Sequence, residues 1–492
     1  MESQERPGDD IQEMLDEVAR EPAHQNYEFE DLVENETALC EYHLANSEPD
    51  DKWFVPQTGS WHIFDAEEMR WRESRGGTEL IRFFQEKNEQ LRQKLEETIE
   101  TLLVQGCDKD DDRVKNLERK KRFLVSLNNY RKLQSLEKLA QIKRPKSEAE
   151  FNTQKHLLAV KNGLVNLRTG ELITDMATIK GALDTHQCSC EYNPSARPEK
   201  WMSFLATITD NDAEQMDYLR VKAGYYLTGE TREQVLDFAH GAGQNGKGVF
   251  TTVLRQIFND YFANMRVESL MGKRASHGEN ATPELAKLWG KRLAVAAEGA
   301  EGGLLNLSTI KQLTGENVIS VRKLYGNPFE LKPSCKILIE TNHLPTIMES
   351  DYGTWRRLRV IPFPVTIPPS EVDTMLKEKL FAEAEGILAW AVSGAVEYYR
   401  SGIPRCQSVE KATVEYRNDS DIIQSALTDI LVPASDKSCY VRDVYESYKG
   451  WCNARGKEFL SEKKFAMGLP VRGYVKLRKS AGIALLGYEL RE

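Results

Sequence analysis

The first pattern of hydrophobic positions along the chain is helical. Between residues 78 and 143 the sequence is rich in Glu, Lys and Leu, and apolar residues recur at intervals of four, as at Leu91, Leu95 and Ile99. That interval places them on one face of a helix. Just before this stretch, aromatic residues surround a Thr-Gly-Ser turn at 58–60, which predicts a small hairpin within 51–75.

A second pattern, between residues 200 and 400, alternates short apolar runs with helical segments. The runs at 235–239, 292–297 and 336–341 have the length and composition of buried strands. Strands that alternate with helices predict an α/β domain whose sheet is mainly parallel.

A third pattern begins near residue 440, where Tyr445, Tyr448 and Trp451 recur at helical spacing and Ser461 can cap a second short helix. Residues 463–482 then contain six Lys or Arg and no acidic residue, with two glycines bracketing a predicted strand pair. Two helices and a basic hairpin predict a winged-helix domain that binds DNA. The basic side chains assigned to that contact are Lys463, Lys464, Lys476, Arg478 and Lys479. The alternative is a small subunit-interface domain with a solvated basic face.

The composition is typical of a globular protein with several domains. The chain has 492 residues, of which 40% are hydrophobic and 29% are charged. Its eight cysteines are scattered, which excludes a disulfide scaffold and favours a reducing, cytoplasmic setting. The sequence has no run of about 18 apolar residues, so we expect no membrane partner.

The net charge of −10 is distributed unevenly. Residues 1–50 hold sixteen acidic residues and two arginines, so this segment carries −14 and the rest of the chain +4. Such a segment predicts an acidic, disordered tail. The total charge does not argue against a nucleic-acid partner, because local basic patches decide such binding.

The sharpest chemical signal is a glycine-rich segment with the sequence GAGQNGKGV. It follows a predicted strand and precedes a helical run, the context in which such loops bind nucleotide phosphates through backbone N–H groups. Lys247 is expected to reach the terminal phosphates. Gly248 stands where this loop normally carries Ser or Thr, so a magnesium ion loses its usual side-chain ligand. The residues assigned to nucleotide binding are Gly241, Ala242, Gly243, Gln244, Asn245, Gly246, Lys247, Gly248 and Val249.

Polar residues after the later strands narrow the chemistry. Glu298 follows the second strand, where an acid can order the attacking water or hold a metal ion. Asn342 follows the third, where an amide can sense the terminal phosphate. Arg356 and Arg357 come next, and an arginine from a neighbouring subunit would neutralise charge in the transition state. Taken one at a time, Glu298 could be a solvated strand end, Asn342 a turn former, and the two arginines members of a surface ion pair. Their order after the glycine-rich loop favours a catalytic role.

Several segments together resemble the superfamily 3 helicase domain of the phage, plasmid and poxvirus primase–helicases. They are the run at 241–250, ATPELAKLWGKRLAVAAE at 281–298, LNLSTIKQLTGENVISVRKLYG at 305–326, KILIETNHLP at 336–345 and DYGTWRRLRVIPF at 351–363. Flanking segments extend the resemblance over about residues 150–490: LLAVKNGLVNLRTGEL at 157–172, YLTGET at 226–231, EGILAWAVSGAVEYYRSG at 385–402 and YESYKGWCNARGKEFLSEKKF at 445–465.

The resemblance implies an AAA+-like homo-hexameric ring that hydrolyses ATP with Mg²⁺ at subunit interfaces and moves along single-stranded DNA. The roles it implies are Lys247 for phosphate binding, Glu298 for the Walker B acid and metal ligand, Asn342 for sensor 1, and Arg356 or Arg357 for the arginine finger.

The DNA-gripping hairpin of this family maps to residues 311–330. That mapping implies Lys311, Arg322 and Lys323 as contacts to DNA in the pore of the ring. The alternative is that these are ordinary solvated charges.

The expected fold class is α/β, with an AAA+-like P-loop ATPase core between a mixed, helix-rich N-terminal region and a C-terminal winged-helix domain. The expected segments are an acidic tail at 1–50, an aromatic hairpin and helical region at 51–145, a lead-in domain at 146–215, the ATPase core at 216–369, a helical connector at 370–425 and the winged-helix domain at 426–492.

These expectations converge on an ATP-dependent replicative DNA helicase of a phage or mobile element, with double-stranded DNA a further partner at the winged helix. The alternative is a nucleotide-assembled, origin-binding initiator or loader with little hydrolysis. Gly248 and the single acid Glu298 after Ala297 motivate it. The first 150 residues show no carboxylate set for nucleotidyl transfer, so we expect any primase or polymerase activity from a separate protein.

Overall fold

The structure is a computed structural model that describes residues 33–47, 51–271, 283–297, 304–315, 318–322, 328–345, 347, 352–457 and 459–491. Its contacts divide the chain into two compact units, Met1–Phe151 and Asn152–Glu492. Among the described helices, none has the length and apolar character needed to cross a membrane.

The described part of the first unit combines a small antiparallel sheet with four helices. Its elements are α1 (Glu36–Ala45), β1 (Lys52–Val55), β2 (Ser60–Asp65), β3 (Arg70–Ser74), α2 (Thr78–Val104), α3 (Asp112–Leu127) and α4 (Tyr130–Lys143). The predicted hairpin is a three-stranded sheet of order β1-β2-β3. The predicted apolar face of α2 is confirmed, since Leu91, Leu95 and Ile99 are buried. The indole N–H of Trp61 on β2 donates to Glu137 Oε1 at 2.7 Å, which ties the sheet to α4.

Helix α1 lies within the segment for which the sequence predicts a disordered tail. Asn35 caps it by accepting from the Ala38 N–H at 2.8 Å, and Leu39 and Cys40 are fully buried in the core of the first unit. This corrects the expectation for these ten residues, because the high acidic content conceals an apolar helix face that can be buried. The remainder of the tail, 1–32 and 48–50, lies outside the described residues.

The second unit begins with an antiparallel sheet and three helices. These are β4 (Leu157–Val160), β5 (Gly163–Asn166), β6 (Glu171–Ile173), α5 (Met176–Gly181), α6 (Glu199–Ile208) and α7 (Ala213–Leu227). Apolar residues of β4, β5, α6 and α7 share one buried cluster with those of the central sheet that follows. This segment is therefore packed as part of the same unit.

Among the residues that the structure describes, the central sheet of the second unit has five parallel strands. The elements that build and decorate it are β7 (Leu236–His240), α8 (Lys247–Phe258), β8 (Phe262–Arg266), α9 (Pro283–Ala286), β9 (Leu293–Ala297), α10 (Leu307–Leu313), β10 (Ile319–Arg322), β11 (Pro328–Leu331), β12 (Lys336–Thr341), α11 (Tyr352–Trp355) and β13 (Leu358–Pro362). The strand order is β13-β7-β12-β9-β8. All three predicted strands lie within one residue of their expected limits, which confirms a parallel α/β sheet.

Four helices follow the sheet: α12 (Leu376–Phe381), α13 (Ala384–Ser401), α14 (Gln407–Ser420) and α15 (Ile422–Ile430). Helix α13 packs against α7 so closely that a side-chain carbon on Gly224 would lie 2.0 Å from the backbone nitrogen of Ala395. Only glycine allows this approach, which fixes α7 against α13 beside the sheet.

The C-terminal elements are β14 (Leu431–Tyr440), α16 (Val441–Ala454), α17 (Glu462–Val471), β15 (Lys476–Lys479) and β16 (Gly482–Leu490). The strands pair in the order β14-β16-β15, and the helices bury Tyr448 and Phe465 in a separate cluster. The predicted order of helix, helix and basic hairpin is therefore present.

Candidate active site

The glycine-rich loop joins the carboxyl end of β7 to the amino end of α8. Gly243 and Gly246 have φ angles of 99° and 82°, a conformation that favours glycine. A side-chain carbon on Gly246 would also lie 2.4 Å from Ile208 Cγ2. The first N–H groups of α8 have no partner within the helix, and the helix dipole is positive there, so this place suits an anion.

Lys247 is held inside this loop by two oxygen atoms. Its Nζ donates to the Gly241 carbonyl at 2.7 Å and to Asn342 Oδ1 at 2.9 Å. Because β12 lies next to β7 and runs parallel to it, the residue that follows β12 meets the loop that follows β7. The structure thus brings together two residues that the sequence assigns to one site.

His240, the last residue of β7, lies at the base of the loop. Burial lowers the pKa of its imidazole, and the positive charge of Lys247 lowers that pKa further. A hydrogen bond with the backbone of Asn342 acts in the opposite direction. The imidazole therefore reports on the charge of the loop.

Glu298 and Lys323 were assigned to the site, and both lie outside the described residues. Ala297, which precedes Glu298, ends β9 and pairs with Glu340 on β12. The carboxyl end of β9 is therefore adjacent to β12, the strand that Asn342 follows.

Glu340 is a site residue that the sequence reasoning missed. A side-chain carbon built on Gly248 would have Glu340 Oε2 as its nearest neighbour, at 3.9 Å. The signal available in the sequence was the position of Glu340 two residues before Asn342, because alternate residues of a strand point to the same face.

A cavity of about 490 Å³ lies beside Gly248. It is bounded by α8, by β8 and by the carboxyl ends of β9 and β12. The charged side chains that line it are Arg255, Arg266, Glu268, Glu340 and Lys377. This mixture of cations and carboxylates suits a ligand that carries negative charge together with a metal ion.

Arg356 and Arg357 lie at the opposite end of the sheet. They precede β13, whose first residue pairs with Leu236 at the start of β7. Both guanidinium groups donate to Gln234 Oε1, at 2.7 Å and 3.3 Å. Strand β7 has five residues, which span about 16 Å. The structure therefore does not bring either arginine to the glycine-rich loop of its own chain. Their shared partner Gln234 was not predicted from the sequence.

The expected DNA-gripping hairpin corresponds to β10 and β11, which pair antiparallel. Arg322 is the last residue of β10 and is exposed. Lys311 lies instead on helix α10, which precedes the hairpin. The mapping of 311–330 to one hairpin is corrected accordingly, since the apolar residues of α10 form a buried helical face.

The basic residues of the C-terminal segment fall into two groups. Lys463 and Lys464 on α17 and Arg478 on β15 are exposed. Lys476 Nζ donates to the Ala466 carbonyl at 2.8 Å, and Lys479 Nζ donates to Ser438 Oγ at 2.5 Å. The first group presents cations outward, whereas the second also connects the hairpin to its own domain. All five remain candidates for DNA contact.

Two known protein families match parts of the chain. Residues 36–210 match the family described as D5 N terminal like, and residues 239–357 match a family of unknown function, DUF5906. The second match contains the glycine-rich loop from Gly241 onward, together with Asn342, Arg356 and Arg357.

A solved structure, the A form apo structure of NrS-1 C terminal region-CTR, aligns with a TM-score of 0.46 and 14% identity. The alignment covers 89% of this chain and 95% of that chain.

Viral proteins are similar in sequence. "Putative helicase L207/L206" of Acanthamoeba polyphaga mimivirus is 29% identical over 60% of this chain and 33% of its own length. "Putative helicase 022R" of Frog virus 3 is 28% identical, over 57% of this chain and 31% of its own length. "Putative primase C962R" of African swine fever virus is 22% identical, over 62% of this chain and 34% of its own length. The chain thus spans about a third of the length of these relatives, and these matches fit a phage and viral primase–helicase family.

Proposed function

We propose that this chain is the ATP-dependent motor of a ring-forming DNA helicase that acts in replication of a virus, phage or mobile element. The observation that carries the proposal is the contact of Lys247 Nζ with both the Gly241 carbonyl and Asn342 Oδ1. A lysine between a glycine-rich loop and a polar residue of the next strand is how P-loop ATPases approach the terminal phosphates. Viral relatives whose names call them helicases support the same conclusion.

The proposal assigns an AAA+-like P-loop core to residues 216–369 and a winged-helix domain to 426–492, joined by the helices of 370–425. The parallel sheet with a glycine-rich loop at its carboxyl edge supports the first assignment. The order α16, α17, β15 and β16 supports the second.

ATP fits the loop because the chain offers backbone N–H groups, a helix N-terminus and Lys247 at one place. Residues 241–249 would hold the phosphates. Mg²⁺ would supply neutralisation of the triphosphate charge. Carboxylate oxygens, which Mg²⁺ prefers, are present beside Gly248, and Glu298 remains the assigned metal ligand and Walker B acid.

The arginine finger is proposed to act on the site of a neighbouring subunit. Its place at the amino end of the sheet supports this, since the side chain cannot reach the loop of its own chain. We assign the role to Arg356, which is exposed. Arg357 is half-buried and donates to the Gly353 carbonyl at 2.6 Å, so it is committed to its own fold.

DNA is the proposed partner, with a single strand in the pore of a homo-hexamer. The exposed end of β10 supports a pore contact by Arg322, to which the proposal adds Lys311 and Lys323. Lys463, Lys464 and Arg478 are exposed on the C-terminal helix and hairpin, which supports contact with a duplex there.

The proposal is tested by ATP turnover and by strand displacement on a forked duplex. Single-stranded DNA should stimulate turnover, and Lys247→Ala should lower it by roughly 10²–10³-fold, the cost of losing one preorganised donor to developing charge. A matched control is Lys287→Ala, because Lys287 is an exposed lysine paired only with neighbouring Glu284 in the described contacts. Undiminished turnover in Lys247→Ala would refute the site assignment.

A second candidate function is an origin-binding initiator or loader that uses nucleotide to assemble and hydrolyses little. Gly248 and Ala297 favour it, because neither provides the metal ligand usual at its position. This candidate predicts tight binding to duplex DNA through residues 430–490 and no strand displacement. The forked substrate separates the two functions.

A further inference from the structure

Two positions in the proposed nucleotide site carry residues that cannot bind a cation through a side chain. Gly248 has no hydroxyl, and Ala297 has no carboxylate. They belong to different elements, the start of α8 and the end of β9. A cation bound between these two positions would need a side-chain ligand from another residue.

Glu340 lies next to both positions. It pairs with Ala297 in the register between β12 and β9, and with Ala239 in the register between β12 and β7. Its carboxylate is the nearest group to the open space beside Gly248, with Oε2 3.9 Å from the position of a side-chain carbon there. The carboxylate of Glu340 is thus adjacent to both positions that lack a side-chain metal ligand.

Glu340 lies near the end of β12, close in sequence to the residue that contacts the phosphate-binding lysine. Asn342 comes two residues later, just after the strand, and its Oδ1 lies 2.9 Å from Lys247 Nζ. Glu340 lines the cavity of about 490 Å³ beside Gly248 and is half-buried. Among the residues that the structure describes, none forms an ion pair or side-chain hydrogen bond with its carboxylate. A half-buried carboxylate in that state is poised for a cation.

We propose that Glu340 ligates the divalent cation that accompanies the triphosphate, or one of the water molecules of that cation. Its carboxylate takes the place of the hydroxyl missing at Gly248 and of the acid missing at Ala297. This inference rests on the proposed function, because it concerns the same nucleotide site. It assigns a role to a residue outside the glycine-rich loop and outside the assigned set of site residues.

The test measures the cation dependence of nucleotide binding rather than turnover. The full chain is titrated with fluorescent ADP in Mg²⁺ and in EDTA, and bound Mn²⁺ is counted by electron paramagnetic resonance in the presence of ADP. Glu340→Gln should weaken cation affinity in the ternary complex by roughly 10–100-fold. Its ADP affinity in EDTA should equal that of the unchanged chain.

Glu415→Gln is the matched control, because Glu415 is an exposed carboxylate on α14 that does not line this cavity. It removes the same charge and should leave the cation dependence unchanged. Glu268→Gln tests the competing ligand, because Glu268 is an exposed carboxylate that lines the same cavity. If Glu268→Gln reproduces the loss and Glu340→Gln does not, the ligand is Glu268 and the proposal is overturned. If Glu340→Gln stops turnover while Mn²⁺ affinity stays the same, Glu340 acts on the attacking water and the proposal is likewise overturned.

Gly248→Ser gives a second, independent variant. The space beside Gly248 is open, and its φ is not positive, so a serine side chain fits. Added to Glu340→Gln, this change should restore most of the lost cation affinity by returning the hydroxyl ligand. Failure of restoration in a folded double variant contradicts the proposal, even if Glu340→Gln alone does not fold.

Lys247→Ala separates this inference from the function on which it rests. If Lys247→Ala leaves ADP binding intact both in Mg²⁺ and in EDTA, the nucleotide site itself is misplaced. If Lys247→Ala abolishes ADP binding and Glu340→Gln leaves the cation dependence intact, the nucleotide site is correctly assigned and only the proposed role of Glu340 is wrong.

Discussion

The two ends of the central parallel sheet hold their buried cations in different ways. At the amino end, Lys222 on α7 and Asp237 on β7 are 1% and 0% exposed, and Lys222 Nζ lies 2.6 Å from Asp237 Oδ2. Burial lowers the pKa of the Lys222 ammonium, and the Asp237 carboxylate opposes that shift. At the carboxyl end, Lys247 donates to a carbonyl and an amide oxygen.

Other cations at the amino end are also committed to the fold. Arg292 Nη1 donates to the Leu227 carbonyl at 2.6 Å, and Lys336 Nζ donates to the carbonyls of Thr228 and Ser334. These bonds tie the end of α7 to the start of the sheet. Burial lowers the pKa of Lys336 well below its usual value.

The partner of each lysine determines how its positive charge can be used. A lysine that lies against a buried carboxylate has its charge compensated and contributes to packing. At the carboxyl edge, the two oxygens that Lys247 contacts are neutral, so these two bonds position its ammonium group without cancelling its charge. In a parallel sheet the second arrangement belongs at the carboxyl edge, where ligands bind.

The largest expected effect concerns the arginine at the amino end that is proposed to serve the carboxyl end of a neighbour. Arg356→Ala should lower ATP turnover by roughly 10³-fold or more. Mixing it with Lys247→Ala should restore part of the activity, because some interfaces then join an intact loop to an intact arginine. Arg357→Ala is the matched control and should cost less turnover. A larger loss in Arg357→Ala, with no restoration on mixing, would reverse the assignment.

The next effect tests the structural role of the buried ion pair. Lys222→Met should lower the free energy of unfolding by about 3–5 kcal/mol, since it leaves Asp237 charged and buried without its partner. Denaturant unfolding measures this change. Lys247→Met should lower the free energy of unfolding by less, since the bonds of Lys247 to the Gly241 carbonyl and to Asn342 Oδ1 are to neutral acceptors. Equal losses of unfolding free energy in Lys222→Met and Lys247→Met would show that the two lysines do not differ in their structural role.

A smaller effect is expected when both members of the pair are replaced. Lys222→Met combined with Asp237→Leu should be more stable than Lys222→Met alone, because no charge remains buried. Its free energy of unfolding should stay about 1–3 kcal/mol below that of the unchanged chain. The Tyr226 hydroxyl donates to Asp237 Oδ2 at 2.8 Å and would lose that acceptor. A double variant no more stable than the single one would show that volume, not charge, controls this position.

The smallest effect is a shift in the pKa of His240. Lys247 lowers that pKa through its charge, so Lys247→Ala should move it upward. Titration of the imidazole C–H resonance by NMR measures the shift, with His240→Gln identifying the signal and Lys287→Ala as the control. A downward or absent shift would mean that the Lys247 charge does not act at the end of β7.

Much of the α/β framework could be predicted from the chain alone. The run at 336–341 has the apolar composition of a buried strand, and the structure has it at those residues. The glycines at 243 and 246 adopt the positive φ that their loop requires. The position of Asn342 after a strand predicted that it would lie near the loop, and its contact with Lys247 agrees.

Other features were hidden from sequence reasoning. The sequence indicated Glu340 only through its position two residues before Asn342, and its closeness to Gly248 depends on the folded structure. The partnership of Arg356 with Gln234 joins residues 122 positions apart, and that of Lys222 with Asp237 joins a helix to a strand. Helix α1 was concealed by the acidic composition around it.

The amino-acid order alone was enough to predict which segments become strands, where the chain turns through glycine and which helix faces are apolar. These depend on residues close together in the chain, because side-chain periodicity and backbone conformation are local properties. Which polar groups meet depends instead on how distant segments pack in the folded chain. The strand order β13-β7-β12-β9-β8 sets Lys247 beside Asn342 and Gly248 beside Glu340, and it places Arg356 at the far end of the sheet.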